Sequence, residues 1–257
     1  MSFGFIRIKS NNIIEIEMNT KLLAEKGNVK MIAHRGVSGL ERENTCAAFV
    51  TAGVKSYYGV ETDMRITKDG KFAIIHDGNL SRVGGGNVAI DECTFAEIRK
   101  ARLKDTDDVT VREDLCVPSL QEYIAICRKY DKQCILELKV KMTKEQLVQM
   151  VELIQSMGWL ERTTIISFSR DNLILLRSIY PNVDIQFLTT KCGEEEIELM
   201  AKHRFDADLW DELVTKELVD TLHEKGIKVN CWTVDDLETA ERVRDCGVDF
   251  ITTDIIE

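Results

Sequence analysis

Proline is nearly missing from this chain of 257 residues, which holds only Pro118 and Pro181. No Pro/Ser-rich stretch serves as a linker, so the length suits one large α/β domain with a full core rather than two small ones. Long apolar runs are also lacking: none approaches the roughly 20 residues of a membrane helix, and the opening MSFGFIRIKS has no apolar centre. The chain therefore reads as soluble and cytoplasmic, without stable membrane insertion. Positive charge is in deficit, with a formal net charge of −10. That balance excludes a general affinity for nucleic acid, yet a local cation can still receive a small phosphate-bearing substrate. Eight cysteines are present, but they are scattered with no C-x-x-C pair, which points to reduced thiols used as small hydrophobes.

What is present is a regular alternation. Strand patterns occur at MIAH (31–34), YGVETDMRIT (58–67), FAIIHD (72–77), CILELKV (134–140), TIISFS (164–169), VDIQFLT (183–189), IKVNCWTV (227–234) and VDFITTD (248–254). Helical patterns separate most of them, at 43–53, 119–130, 143–157, 170–180, 194–204, 215–226 and 237–247. Two helices open with capping boxes, Ser119 with Glu122 and Thr143 with Gln146. About eight strands joined by crossover helices over this length predict a closed (β/α)8 barrel, the TIM barrel, and no G-x-G-x-x-G or P-loop sequence supports an open nucleotide-binding sheet. Residues 30–257 are assigned to the barrel. Residues 78–117, with a GGG run, a short TFAEIRKARL helix and an acidic stretch, read as a small insertion after the third strand. Residues 1–29 read as an N-terminal extension resembling a hairpin, in which Arg7 and Lys9 face Glu15 and Glu17. It is expected to pack on the barrel or on another subunit of a homo-oligomer and to be dispensable for chemistry.

Charged residues fall where a buried strand should be apolar. A period of two places Glu61, Asp63 and Arg65 on one face of the second strand, and Glu137 beside Lys139 on the fourth. Two readings account for them: a hard divalent ion held by three carboxylates, or an internal network of salt bridges. Two of the four histidines, His34 and His76, follow apolar strands, and in a barrel those strand ends share a rim with the acids. This favours a reaction centre. His203 and His223 lie in helical stretches and read as surface residues.

These segments together resemble the glycerophosphodiester phosphodiesterases, a TIM-barrel family. The resemblance is carried by HRG (34–36), ENT (43–45), ETD (61–63), TKDG with HD (76–77), LELK (136–139), WTVDD (232–236) and GVDFITTD (247–254). It implies Glu61, Asp63 and Glu137 as ligands of a divalent metal, Mg2+ or Ca2+, and His34 with His76 as the acid/base pair. It further implies that Arg35 and Lys139 contact the phosphate, Glu43 braces the HRG loop and Trp232 forms an apolar wall, although a core tryptophan is an equal reading of the last. The implied reaction is hydrolysis of a small glycerophosphodiester to sn-glycerol 3-phosphate and an alcohol. A lyase releasing a cyclic phosphate and a non-catalytic phosphodiester-binding barrel are the alternatives. The sequence departs from the family pattern at Arg42, where proline is usual, and at GNLSRVGGG (78–86), where threonines are frequent.

Overall fold

The structure is a computed structural model that describes residues 19–257. The strands are β1 (Lys30–Ala33), β2 (Gly59–Ile66), β3 (Phe72–Ile74), β4 (Gln133–Leu138), β5 (Thr163–Ser167), β6 (Asp184–Thr189), β7 (Asp206–Trp210), β8 (Val229–Trp232) and β9 (Phe250–Thr253). The helices are α1 (Cys46–Val54), α2 (Phe95–Ile98), α3 (Leu120–Lys129), α4 (Lys144–Ser156), α5 (Arg170–Ile179), α6 (Glu194–His203), α7 (Lys216–Glu224) and α8 (Leu237–Cys246). Every strand pairing is parallel except that of β3 with β2, and β1 pairs with both β2 and β9. The remaining eight strands thus close into a barrel in the order β1-β9-β8-β7-β6-β5-β4-β2. Both expected capping boxes form, at Ser119–Glu122 and Thr143–Gln146.

Two strand assignments need correction. FAIIHD is not a stave of the barrel: β3 folds back antiparallel on the upper end of β2, pairing Met64 with Ile74 and Ile66 with Phe72. The five residues between β2 and β3 permit a hairpin but are far too few for the crossover a parallel pair requires. The eighth stave is instead β7, DADLW, which the apolar pattern missed. Its inward positions are Asp206 and Asp208, and its outward Ala207 and Leu209 are fully buried under the helices.

Most of the core lies between barrel and helices, where Val60, Leu136, Ile165 and Ile251 meet residues such as Phe49, Ile124, Leu173 and Val243. Inside the barrel a smaller cluster of Ile32, Ile135, Ile166 and Leu188 forms a floor, with Trp232 and Phe250 against it. The segment 78–117 carries its own core, in which Leu80, Val83, Ile98 and Leu103 pack with Ala73 and Ile75 of the β3 region. It is therefore a packed cap anchored to the β2–β3 hairpin. Arg42 ties it to the loop after β1: its guanidinium donates to the Lys104 carbonyl at 2.7 Å, to the Asp105 carbonyl, and to the Asp108 carboxylate at 2.5 Å. All eight cysteines are free. Among the described residues no helix is long and apolar enough to cross a membrane.

The pairing expected between Arg7 and Lys9 and Glu15 and Glu17 lies outside the described residues. The described part of the extension pairs with the chain end, Leu23 donating to the Glu257 carbonyl at 3.0 Å and Glu257 to the Lys21 carbonyl at 2.7 Å. The Glu257 carboxylate accepts from Thr20 Oγ1 at 2.6 Å and from the Ser56 amide at 2.6 Å. Burial pushes this carboxyl up, but the Thr20 and Ser56 hydrogen bonds and nearby Lys55 more than reverse that and bring it to about 2. A depressed folded pKa stabilises the fold above the unfolded value of about 4.3, and the gain is lost as pH falls through the folded one. Glu257→Gln is therefore expected to lower Tm by roughly 2–8 °C at pH 7, and the difference from wild type should nearly vanish by about pH 2. An equal difference in thermal melts at both pH values would contradict this anchor.

Candidate active site

The loop that leaves β1 turns sharply at Arg35 and Gly36, both at positive φ, 51° and 81°. A Cβ at Gly36 would lie 2.6–2.9 Å from Ala48, so only glycine lets the loop lie against the start of α1. The turn aims the Arg35 amide at Glu61 Oε2, 2.9 Å away, and its guanidinium at Glu43 Oε1, 2.9 Å, and Asp63 Oδ2, 3.3 Å. Burial works against the Arg35 charge, yet Asp63, Glu43 and Glu61 around it hold its pKa above the ordinary value. Glu43, the expected brace of this loop, also accepts from Arg82 of the cap with both oxygens.

Glu61, Asp63 and Glu137 are all buried, and each presents a carboxylate oxygen within 4.8 Å of the others. Register explains the grouping, because Asp63 of β2 sits opposite Glu137 of β4 and Glu61 is two residues earlier on the same face. Lys139 reaches Glu137 Oε1 at 3.0 Å and Asp63 Oδ1 at 3.5 Å. Arg65 does not join them; it turns away to the His76 carbonyl at 2.7 Å. Two cations thus face three acids, with Arg35 already shared with Glu43. Burial pushes Glu61 well above the usual carboxylate range, and burial together with the Asp63 charge pushes Glu137 up to about 7. Asp63 Oδ1 is buried without a hydrogen-bond partner. Three clustered carboxylates, short of counter-charge and offering only oxygen donors, are a donor set suited to a hard divalent cation.

The two histidines are braced alike. His34 Nδ1 lies 2.6 Å from Asp254 Oδ1, and His76 Nδ1 lies 2.6 Å from Asp77 Oδ1. With Nδ1–H donating to a carboxylate, each neutral ring keeps its lone pair on Nε2. His34 Nε2 is 3.9 Å from Glu61, and both residues line one pocket with the acids. His76 arrives by a route other than the one expected: it follows the antiparallel β3, held there by the Ile75 amide donating to the Asp63 carbonyl at 2.9 Å. Burial lowers the His76 pKa despite the nearby Asp63. Burial pushes Asp77 up, but Arg82 and His76 bring it down to about 2, so the carboxylate stays ionised.

The pocket, of about 110 Å³, is lined by His34, Arg35, Glu61, His76, Glu137 and Lys139 on one side. Trp232 lies on the other, its indole donating to the Asp208 carbonyl at 3.3 Å and its ring perpendicular to Phe168. It is therefore a wall residue that also packs on the floor cluster. Asp63 is absent from the exposed lining, being only 1% accessible. Of the expected surface histidines, His223 is exposed and bonded to Asp249, whereas His203 is half-buried against Phe205.

Sequence reasoning did not single out four further residues. Asn44 donates to Asp63 Oδ2 at 2.8 Å and accepts from Thr62 Oγ1 and the Asp63 amide, which fixes the carboxylate. Asp77 and Asp254 orient the imidazoles, and each was visible as the acid ending its motif, HD and TTD. Asp208 of β7 lines the far wall, where burial pushes its carboxyl well up; its strand was missed, and the residue with it.

An α/β barrel whose mouth joins an acidic triad to two aspartate-braced histidines and two cations defines a barrel phosphodiesterase. Residues 34–257 match the Glycerophosphoryl diester phosphodiesterase family, and the chain belongs to that family. It is 30% identical over 235 residues to a glycerophosphodiester phosphodiesterase of Caldanaerobacter subterraneus subsp. tengcongensis, covering 87% of this chain and 93% of that one. Crystal structures of glycerophosphodiester phosphodiesterases from Parabacteroides distasonis and Thermotoga maritima, each 26% identical, superpose with TM-scores of 0.75 and 0.73. These cover 88% of this chain and 93% and 94% of theirs.

Asn44→Asp keeps the shape of the side chain but turns its donor toward Asp63 into a second carboxylate. It is expected to cost about 1–3 kcal/mol in urea denaturation. Unchanged stability would show that Asn44 does not hold Asp63.

Proposed function

We propose that the protein hydrolyses glycerophosphodiesters to sn-glycerol 3-phosphate and an alcohol, with a divalent ion, Mg2+ or Ca2+, held by Glu61, Asp63 and Glu137 and with His34 and His76 as the acid/base pair. The observation that carries this reading is the pair of imidazoles, each braced at Nδ1 by an aspartate, lining one pocket with the acidic triad. The family's relatives named as glycerophosphodiester phosphodiesterases support the substrate class.

A phosphodiester resists attack because its anionic oxygens repel the nucleophile and its alkoxide leaves poorly. When bound, a divalent ion supplies Lewis-acid charge for the phosphoryl oxygens. Arg35 and Lys139 supply donors to the same oxygens from fixed positions, so the charge that grows in the transition state meets groups already aimed at it. Arg35 is held for this by Glu43, and Lys139 by Glu137. One imidazole, neutral at the outset, takes a proton at Nε2 from the attacking water, and the other, starting as the imidazolium, gives its Nε2 proton to the departing oxygen. Asp254 and Asp77 fix the rings and stabilise the imidazolium as it forms, as a carboxylate does beside a catalytic histidine. The pocket shared by both histidines, Arg35, Lys139, Glu61 and Glu137 supports the catalytic reading over a non-catalytic barrel. Negative net charge and free thiols suit a cytoplasmic enzyme acting on a small diester.

His34→Ala and His76→Ala are each expected to lower kcat by about 10²–10⁴-fold, and the double variant should be little worse than either single because the two act as a unit. Turnover of glycerophosphodiesters followed by phosphorus NMR checks this and identifies the product. Near wild-type turnover by His34→Ala would overturn the acid/base assignment, and a cyclic phosphate as final product would overturn hydrolysis.

A further inference from the structure

One arginine outside the pocket reaches two of the groups that line it. Arg82 belongs to the insertion, in a turn where the Gly84 amide donates to the Ser81 carbonyl at 3.2 Å and the Gly85 amide to the Leu80 carbonyl at 3.0 Å. Leu80 and Val83 on either side of it are buried in the cap's own core, so the cap fixes the turn. The side chain spans the gap to the barrel. Its Nε donates to Asp77 Oδ2 at 2.6 Å, Nη1 to Glu43 Oε2 at 2.5 Å and Nη2 to Glu43 Oε1 at 2.8 Å. All three guanidinium nitrogens are thus committed, and to two different carboxylates.

Each carboxylate passes that constraint on. Glu43 Oε1 also accepts from Arg35 Nη1 at 2.9 Å, and Asp77 Oδ1 lies 2.6 Å from His76 Nδ1. Burial opposes the Glu43 charge, and the Arg82 hydrogen bond, ahead of Arg35, brings its pKa below the ordinary value. The result is one continuous chain, Arg35–Glu43–Arg82–Asp77–His76, whose two ends line the pocket and whose three middle members do not. His34 is braced differently: its Asp254 accepts from Ser38 Oγ at 2.7 Å, and among the described residues no arginine is bonded to it. A planar guanidinium suits such a bridge, because its fork holds two carboxylates at set angles where an ammonium acts as a point charge.

We propose that Arg82 is a positioning residue that sets Arg35 and His76 relative to each other, so that the cap aligns the phosphate contact with one of the proton-transfer groups. The proposal rests on the hydrolase reading above for what the two ends do, and adds the device that holds them in step. A shift at either end misplaces a group whose contribution depends on alignment, and such misplacement costs rate even when it begins away from the reacting atoms. Only one of the two imidazoles is tied to the cap in this way, so the effect of Arg82 should fall on His76 and spare His34.

The test compares Arg82→Gln and Arg82→Lys with wild type. The Arg82 side chain is 45% exposed, so its loss spares the fold. With glycerophosphoglycerol as substrate, Arg82→Gln is expected to raise KM severalfold through Arg35 and to lower kcat by about 10–10²-fold through His76. Arg82→Lys keeps the charge without the fork and should recover only part of either loss. In nitrogen-15-labelled protein without substrate, the NMR signals of the Arg35 guanidinium and of His76 Nδ1–H should both move in Arg82→Gln, while that of His34 Nδ1–H stays. A merely structural role would move all three signals or none. Absence of turnover by wild type overturns the hydrolase reading, leaving the signals to decide the bridge. Unmoved Arg35 and His76 signals, or full recovery of turnover by Arg82→Lys, overturn the bridge.

Discussion

Three buried carboxylates held within 4.8 Å of one another at the mouth of the barrel are the constraint on which the surrounding structure depends. Such a cluster repels itself in a low-dielectric setting, and much of the neighbouring architecture limits that repulsion. The left-handed turn at Arg35 and Gly36 brings one cation and one amide to the acids, and Lys139 brings a second cation from the strand that carries Glu137. Asn44, itself in a left-handed conformation at φ 55°, spends its whole side chain on Asp63 and Thr62. Asp63 is lowered even though fully buried, whereas Glu61 and Glu137 are raised, so the cluster is left short of positive charge.

The cap joins this arrangement through one side chain. Arg82 donates to both oxygens of Glu43, which holds Arg35, and at 2.6 Å to Asp77, which holds His76. A residue of the insertion thus touches the supports of Arg35 and of one imidazole together. The GNLSRVGGG segment, a departure from the family pattern at the level of sequence, is in this respect part of the site's second layer. Arg42, the other departure, secures the far end of the same cap through the Lys104 and Asp105 carbonyls. Both positions spend positive charge on fixing loops.

Much of this was legible in the chain. The staves β1, β2, β4, β5, β6, β8 and β9 show as apolar or alternating runs between amphipathic helices, because a parallel barrel buries both strand faces. Acids at odd positions in ETD and LELK stood out for the same reason. β7 was illegible because its inward face carries aspartates and its five residues hold no β-branched side chain, so neither period nor propensity marked it. β3 was read as a stave because three apolar residues look alike whichever way they run; the five-residue connection was the available clue to a hairpin. Asn44 and Asp208 act through tertiary contacts, to Asp63 across 19 residues and to a pocket wall built from four strands, so neither period nor propensity marks them, although Asn44 stands within the ENT motif.

The central claim is that the acidic triad exists to hold a divalent cation. Titration of the metal-stripped protein with Mg2+ and with Ca2+ by calorimetry tests it most directly, using buffers of different ionisation enthalpy at pH 7. One ion per chain is expected, with proton release because Glu137 is held near that pH, and no binding by the Glu61→Gln, Asp63→Asn, Glu137→Gln triple variant. A wild-type protein that binds neither ion, or a triple variant with an unchanged isotherm, would contradict the claim and leave the triad as an internal network of salt bridges.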